Sequence, residues 1–589
     1  MVAQLQAVTV ESLPEEMKLY TVLDETDDAG VRHVDAIAGV DGIGRVNIYL
    51  DAQGLPQEAI HWVKLFVNLI GDLDTDEHTK EELDVLSTRY LYNSGISLAL
   101  FGEGADFMPK FRMGWTCMDE DLEAAYDLMY ELVYQTQFTD TQKLLERVQA
   151  LKASLRSSIN GSAYNILLYR ALAVTSPLYR YYNYMNYLDY YSFLEQVEAA
   201  LADMPEVVVQ SLQAAQEIVK NRTNAVAGFA GNEDSIALNR PLADAFLAKL
   251  NQEPIERVEY DLPVPARREA LIVDVNVQFN ALIADYASLE MDGYEGSLDA
   301  LSTLVSDVYL VPLLRDQYGV YAPWTGAVAS DDGGVYLLTY RDPNIDETFA
   351  VYEALPELIA SLDVDQETLD GYILASYAGY AKSAGELSGA LDAMVATING
   401  DPQDEALDYM RQLKTVTPES LAACAEMYQK LAENGVRSTA GSASMINAHA
   451  DLYDVILNPF NTMDASSVEL VDVPEGSEHY DAVRFVFENG LVPAKTEDTF
   501  GVDDPATVGD FLAAVYCGMG GAPNDPESAR AWLAGYGLVE EDQDLDAELT
   551  EDLLCVIMNA LGVGIGTDDP EAVVLRGDLA DILALRFDQ

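Results

Sequence analysis

Positive charge is scarce in this sequence: 33 lysines and arginines stand against 100 aspartates and glutamates in 589 residues, a formal net charge of −67. A surface so acidic repels phosphate backbones and anionic headgroups, which excludes a nucleic-acid or acidic-membrane binder. Histidine is scarcer still. The five residues, His33, His61, His78, His449 and His479, include no pair at i, i+4, so neither H-E-x-x-H nor H-x-x-E-H can be written. G-x-S-x-G and the P-loop G-x-x-x-x-G-K-[ST] are missing as well. The four cysteines, Cys117, Cys424, Cys517 and Cys555, stand singly with no C-x-x-C pair, and read as small buried apolar residues rather than zinc ligands or a disulfide framework. No run of about eighteen uncharged apolar residues occurs, and MVAQLQAVTVESLPEEMKLY has neither a basic start nor an apolar stretch of signal-peptide type. As written, the sequence reads as neither spanning a membrane nor carrying a secretion signal. Its opening reads as a polar connector into strand-like Leu19 to Leu23, as though Met1 followed an upstream segment.

What is present is apolar residue enough, 49% of the total, to fill more than one core. The order strand, helix, helix, strand, strand, helix occurs twice, at an offset of about 220 residues. In the first copy alternating Val46 to Leu50 precedes helices Ala59 to Ile70 and Thr79 to Asn93, the strand pair Gly95 to Phe101 and Lys110 to Cys117, and the helix Leu122 to Tyr134. In the second, Leu271 to Leu282 reads as the first strand and Leu298 to Leu314 as helix. Gly319 to Ala329 and Gly334 to Tyr340 form its strand pair, and Glu347 to Leu362 its next helix. Each copy continues as a long helical stretch and closes on a short strand, Asn224 to Phe229 or Arg437 to Ser442. The expectation is an α+β fold: two homologous domains, each an antiparallel sheet with segregated helices, at 1–250 and 269–465. A linker at 251–268 is marked by Pro254, Pro263 and Pro265. Residues 466–589 are the most acidic and read as a small repeated helical region, with Thr507 and Thr550 placed to cap helices.

Three stretches could carry chemistry. His78-Thr79-Lys80-Glu81-Glu82 reads as an acidic first helical turn, which the helix dipole favours without any metal. The tyrosine run from Tyr179 to Tyr191 suits either a cavity lining for peptide or sugar or helix packing. Arg315-Asp316-Gln317-Tyr318-Gly319-Val320-Tyr321 falls where a helix hands over to a strand, a position suited to presenting a guanidinium and a phenol to a cavity. There Arg315 could grip a carbonyl or carboxylate and Tyr321 could donate to an oxyanion.

The duplicated units, the Arg315…Gly319-x-Tyr321 turn and the run Thr339-Tyr340-Arg341-Asp342-Pro343-Asn344 resemble the C-terminal half of insulinase/pitrilysin-type zinc metallopeptidases, in particular the presequence-protease branch, over roughly residues 10–460. The resemblance implies domains three and four of a four-domain enzyme that encloses unfolded peptides between two bowl-like halves. It implies that the zinc lies on a missing N-terminal half and that this chain holds no metal. Arg315 and Tyr321 match the family's auxiliary catalytic pair, which binds substrate and stabilises the transition state at the other half's zinc; Tyr318 stands where the family often has a second Gly. His61-Trp62-Val63-Lys64-Leu65 falls where the first domain's zinc helix would lie, with Lys64 and Leu65 in place of ligands. The terminal region resembles S-layer homology modules, which anchor proteins to cell-wall polymers. Their T-R-A-E helix start survives only as Thr507-Val508-Gly509-Asp510, Thr550-Glu551-Asp552-Leu553 and Leu575-Arg576-Gly577-Asp578. The partners implied are the N-terminal catalytic half, peptides and a wall polymer, at the cell surface or outside it. Two functional classes follow: the substrate-chamber half of a metalloendopeptidase, inactive by itself, or a catalytically inactive peptide-binding or cell-surface scaffold.

Overall fold

Runs of alternating apolar residues pair into two six-stranded sheets in a computed structural model, which describes residues 8–381, 384–462, 468–496, 498–519 and 524–587. The first sheet holds β1 (Val22–Thr26), β2 (Arg32–Ile37), β3 (Ile43–Asp51), β4 (Tyr92–Phe101), β5 (Met108–Met118) and β6 (Val226–Gly231), in the order β1-β2-β6-β3-β5-β4. The second holds β7 (Arg268–Ile272), β8 (Phe279–Asp285), β9 (Ala322–Ala327), β10 (Gly334–Tyr340), β11 (Val436–Gly441) and β12 (Val455–Leu457), in the order β12-β7-β11-β8-β10-β9. Five strands of each sheet follow one topology. The repeat is therefore real in three dimensions. Both sheets are mixed: β2 runs parallel to β6, β7 runs parallel to β11 and β12, and the remaining pairs are antiparallel.

Elements with strong local patterns lie where the sequence places them. Leu122–Tyr134 is one helix, and the Lys80–Tyr90 helix begins at Thr79, whose side chain and that of Glu82 form a capping box. Three expectations need correction. Leu271 to Leu282 is two strands, β7 and β8, because the chain turns between them, where Asp274 takes a hydrogen bond from Arg156 and its amide donates to Asn160. The apolar alternation runs straight through that turn and hides it. Leu298 to Leu314 begins as the α-helix Ser297–Val305 but continues as a π-helix over Ser306–Arg315. Pro312 within it has no N–H to donate and a ring that opposes α-helical winding, and the wider turn accommodates it. The opening connector, as far as it falls among the described residues, is a packed strap rather than a polar lead-in. Val10 and Leu13 are buried in the second unit's core, and Lys414 Nζ donates to the Leu13 carbonyl at 2.8 Å.

Each sheet buries one face under its own helices and the other under a helix of the opposite unit. Val46, Ile48 and Leu50 of β3 face the helices Ile60–Leu69 and Leu122–Tyr134. On the reverse face Val34, Ala36, Val226 and Ala230 meet Ala390, Met394 and Ile398 of the helix Glu386–Asn399, which belongs to the second unit. Reciprocally, Ala163, Leu167 and Ala171 of the first unit's helix Ala163–Leu172 cover Leu271, Phe279, Ala281 and Leu338 of the second sheet. The same helix sends Arg170 to buried Glu269 on β7, with Nη2 to Oε2 at 2.8 Å. The helical stretch Ser297–Tyr318 is long and apolar enough by composition to cross a bilayer. Here Leu301, Leu304, Leu310 and Leu314 are buried in the second unit's core. The terminal helices, from Tyr480–Glu488 to Arg576–Phe587, surround a separate core that includes Phe500, Phe511, Leu533, Ile557 and Leu579.

Leu167→Ala should therefore cost about 2–5 kcal/mol. The loss should appear in one cooperative transition that melts both sheets, followed by circular dichroism and by hydrogen exchange on β8 and β3 together. A second contact between units is acidic. Gly104, just after β4, donates its amide to Asp332 in the β9–β10 hairpin at 2.6 Å. Neighbouring Glu103, an exposed side chain, has its pKa pushed up to about 7, by partial desolvation first and then by Asp331 and Asp332. The folded chain thus holds a proton there that the unfolded chain releases near pH 4.5. That contribution favours folding at low pH and is lost as pH rises through about 7. Glu103→Gln should raise the melting temperature at pH 8 and flatten the decline between pH 5 and 8.

Candidate functional site

The π-helix ends at Arg315, and one short turn later Gly319 takes a left-handed conformation, φ 76°, that stops the helix. The amides of Gly319 and Val320 turn back onto the carbonyls of Arg315 and Leu314 at 3.2 and 3.0 Å. Val320 is buried, so Arg315 and Tyr321 emerge on either side of an anchored turn. Both are exposed, Tyr321 by 62%, and no hydrogen bond joins them. Arg315 has no ion-pair partner among the described residues.

The Tyr340-Arg341-Asp342-Pro343-Asn344 run supplies the frame. Asp342 is fully buried, and its carboxylate accepts from Asn280 Nδ2 at 2.8 Å, Thr348 Oγ1 at 2.6 Å and the Asn344 amide at 2.9 Å. Burial pushes its pKa up, and these hydrogen bonds oppose the shift. Asn344 in turn donates to the Tyr318 carbonyl at 2.9 Å, and the Tyr321 amide to the Arg341 carbonyl at 3.2 Å, which lashes the turn to the end of β10. Tyr318, in the place of a second Gly, projects outward while its backbone is held. Arg341 has φ 53°, the left-handed region, and its guanidinium lies 5.3 Å from the Tyr340 ring. Tyr321 packs edge-on against Tyr340 at 5.9 Å, and Tyr340 against Phe279 and Tyr164 at 5.6 and 5.9 Å. Tyr164 also meets Trp324 at 5.4 Å. The result is an aromatic wall ending in an exposed phenol, with the Arg315 guanidinium on the same turn. Such a surface can hold an extended peptide and donate to a carbonyl or an oxyanion. Sequence reasoning missed Tyr164, because it arrives from the other unit's helix and shares no motif with the turn.

Other candidates are absorbed by packing. His61 is buried on the Ile60–Leu69 helix, stacked 4.3 Å from Tyr184 and hydrogen-bonded through Nε2 to the Tyr184 carbonyl, and burial lowers its pKa. Lys64 on the same helix is also held below its ordinary pKa by burial. His78 pairs through Nδ1 with Glu131 at 2.9 Å. The tyrosine run forms the helix Pro177–Met185 and the start of Tyr187–Asp203, with Tyr179, Tyr181, Tyr190 and Tyr191 buried. Tyr182 and Tyr187 line a cleft of about 300 Å³. Among the described residues three groups bring one histidine and two carboxylates close enough for an ion: Asp27, His33 and Asp244; Glu77, His78 and Glu131; His479, Asp578 and Asp581. None offers two imidazoles, and Glu131 already accepts from Thr75 and His78, so the donor sets do not match a His-rich catalytic zinc site.

In the terminal unit Thr507 caps its helix in a capping box with Asp510. Arg576 is 3% exposed; its Nη1 meets Asp510 at 2.8 Å, Nε donates to the Phe500 carbonyl at 3.1 Å, and Nη2 to the Pro493 carbonyl. The guanidinium also lies 4.9 Å from the Phe500 ring. This arginine knits the core together and faces no solvent.

Residues 2–197 match the family of domains associated with peptidase family M16, subfamily C. The chain is 22% identical over 420 residues to Protein HypA of Clostridium perfringens, covering 70% of this chain and 42% of HypA. It is 24% identical over 363 residues to Presequence protease 1, chloroplastic/mitochondrial, of Arabidopsis thaliana, covering 59% of this chain and 33% of that protein. The chain thus spans less than half the length of these relatives. In fold it is similar to pitrilysin, with TM-score 0.50 and 13% identity over 76% of this chain and 47% of that one. It is similar also to a protease from Helicobacter pylori, with TM-score 0.50 and 15% identity over 72% and 100%. The two sheet units therefore have the M16 peptidase type of fold.

Removing the Arg576 side chain leaves two carbonyls and a carboxylate without their donor. Arg576→Met should destabilise the terminal unit by about 3 kcal/mol or more, read as loss of protection in the Val508–Gly518 helix by hydrogen exchange while β3 and β8 stay protected.

Proposed function

We propose that this chain is the substrate-chamber half of a zinc metalloendopeptidase of the presequence-protease type, acting on unfolded peptides. The observation that carries the reading is the pair of exposed donors on the anchored turn, Arg315 and Tyr321, set at the end of an aromatic wall and engaged with no acidic side chain among the described residues. The kinship with a presequence protease supports it. On this reading residues 1–250 and 269–465 are the third and fourth domains joined by the linker 251–268. The zinc and its general base belong to an N-terminal half, on the same polypeptide or another. Tyr321 donates to the oxygen that gains charge as water attacks the peptide carbonyl, and Arg315 holds the peptide backbone. For the terminal unit we favour a structural cap over a wall anchor at the cell surface, because the surviving arginine of the S-layer-like helix starts is spent inside. Retention of the chain on purified cell-wall sacculi, lost on deleting residues 466–589, would reverse that preference.

The test supplies the zinc-bearing half and compares turnover of a quenched peptide. Tyr321→Phe should lower kcat about a hundredfold, and Arg315→Ala should also raise KM. Neither should shift the melting temperature, since both side chains lie outside the core. Unchanged turnover in Tyr321→Phe would remove its transition-state role, and no turnover of wild type with the zinc-bearing half supplied would favour the inactive peptide-binding scaffold.

A further inference from the structure

In a chain with three acids for every base, a buried arginine without a carboxylate is conspicuous, and the first sheet holds one, Arg45, beside the half-buried Arg112. The helix Glu386–Asn399 covers the reverse face of this sheet over β1, β2, β6 and the near edge of β3. Beyond it, register puts Arg45, Asn47 and Tyr49 of β3 opposite Thr116, Gly114 and Arg112 of β5, and Gly114 and Arg112 opposite Gly95 and Ser97 of β4. These side chains share one face. The small residues on β4 and β5 leave it open toward the sheet edge.

Arg45 is 6% exposed, and Asn47 is fully buried. Arg45 spends Nη1 on the Asn93 carbonyl at 2.6 Å and Thr116 Oγ1 at 3.4 Å, which leaves its Nε buried without a partner and its Nη2 unspent. Arg112 gives Nε to Asn47 Oδ1 at 3.1 Å, and Asn47 Nδ2 is buried without an acceptor. The Nη2 atoms of both arginines converge on Gly114, where a Cβ would lie 3.0 Å from each and collide with Asn47 Oδ1. Neither arginine has a carboxylate partner among the described residues. Burial and then the like charge of Arg112 hold the Arg45 guanidinium below its ordinary pKa. A buried cation repelled by a half-buried one, with donors aimed at one spot and no carboxylate paired to either among the described residues, is costly without a ligand.

We infer that Arg45, Asn47 and Arg112, over the floor of Gly114, form a binding site for a carboxylate. The free Nε–Nη2 edge of Arg45 is the side of a guanidinium that receives a carboxylate through two parallel hydrogen bonds. Arg112 and Asn47 Nδ2 add donors from the flank. The carboxylate belongs to a bound peptide, either its C-terminus or an acidic side chain. That last assignment rests on the peptide-chamber reading, whereas the site itself does not.

The full chain is titrated by calorimetry with N-acetylglycine, N-acetylglycinamide and inorganic phosphate. It is then titrated with labelled peptides ending in a free carboxylate, ending in an amide, or amidated with an internal Glu. N-acetylglycine should bind and its amide should not, and Arg45→Gln and Arg112→Gln should each weaken binding about tenfold or more. Arg112→Gln should keep or raise the melting temperature of the free chain, because it removes a like charge, an outcome that a purely structural arginine would not produce. Preference for the free-carboxylate peptide identifies the C-terminus as the source, and preference for the internal Glu identifies the side chain. No binding of N-acetylglycine, tighter binding of phosphate, or binding unchanged in both variants overturns the site. Peptides that bind regardless of any carboxylate overturn it too, while leaving the chamber reading standing.

Discussion

The architecture depends on an exchange of cover. Each sheet has an apolar second face that its own helices do not reach, and each is closed by a helix of the other unit: Ala163–Leu172 over the second sheet and Glu386–Asn399 over the first. A sheet with both faces apolar cannot stand in water. Neither unit therefore has a complete core alone, and the duplicated halves form one cooperative body. The short side chains at the contacts, Ala163 and Ala171 on one helix and Ala390 on the other, let the helices lie close to the strands.

That exchange also organises the functional surfaces. Tyr164 travels with the covering helix of the first unit and completes the aromatic wall that runs through Tyr340 to Tyr321. The proposed peptide surface is therefore assembled from both units. On the first sheet the covering helix stops short of β4 and β5, and Arg45, Asn47 and Arg112 occupy the uncovered part. Both surfaces place cations or donors without a carboxylate partner in a protein of net charge −67.

The terminal unit follows different rules. Its core is its own, and its buried Arg576 binds backbone carbonyls and Asp510 in place of any outside ligand. A motif residue read from sequence as a remnant of recognition is, in the fold, a cross-brace between three short segments.

The sequence by itself determined the elements and their repetition, since strand and helix periods are local properties: Leu122–Tyr134, Gly334–Tyr340 and the Thr79 cap are legible from a few neighbours. It also marked Arg315 and Tyr321, because a helix end followed by Gly is a local signal with a known backbone consequence. What it could not reveal was anything carried by contacts distant along the chain. The turn that divides Leu271 to Leu282 is held by Asn160 and Arg156 of the other unit. The covering helices look like any amphipathic helix until they are docked. Arg45 and Arg112 sit in ordinary alternating strands, 67 residues apart by their numbers. Only antiparallel pairing through Gly114 brings their guanidiniums to one point, because register, not composition, decides which charges meet.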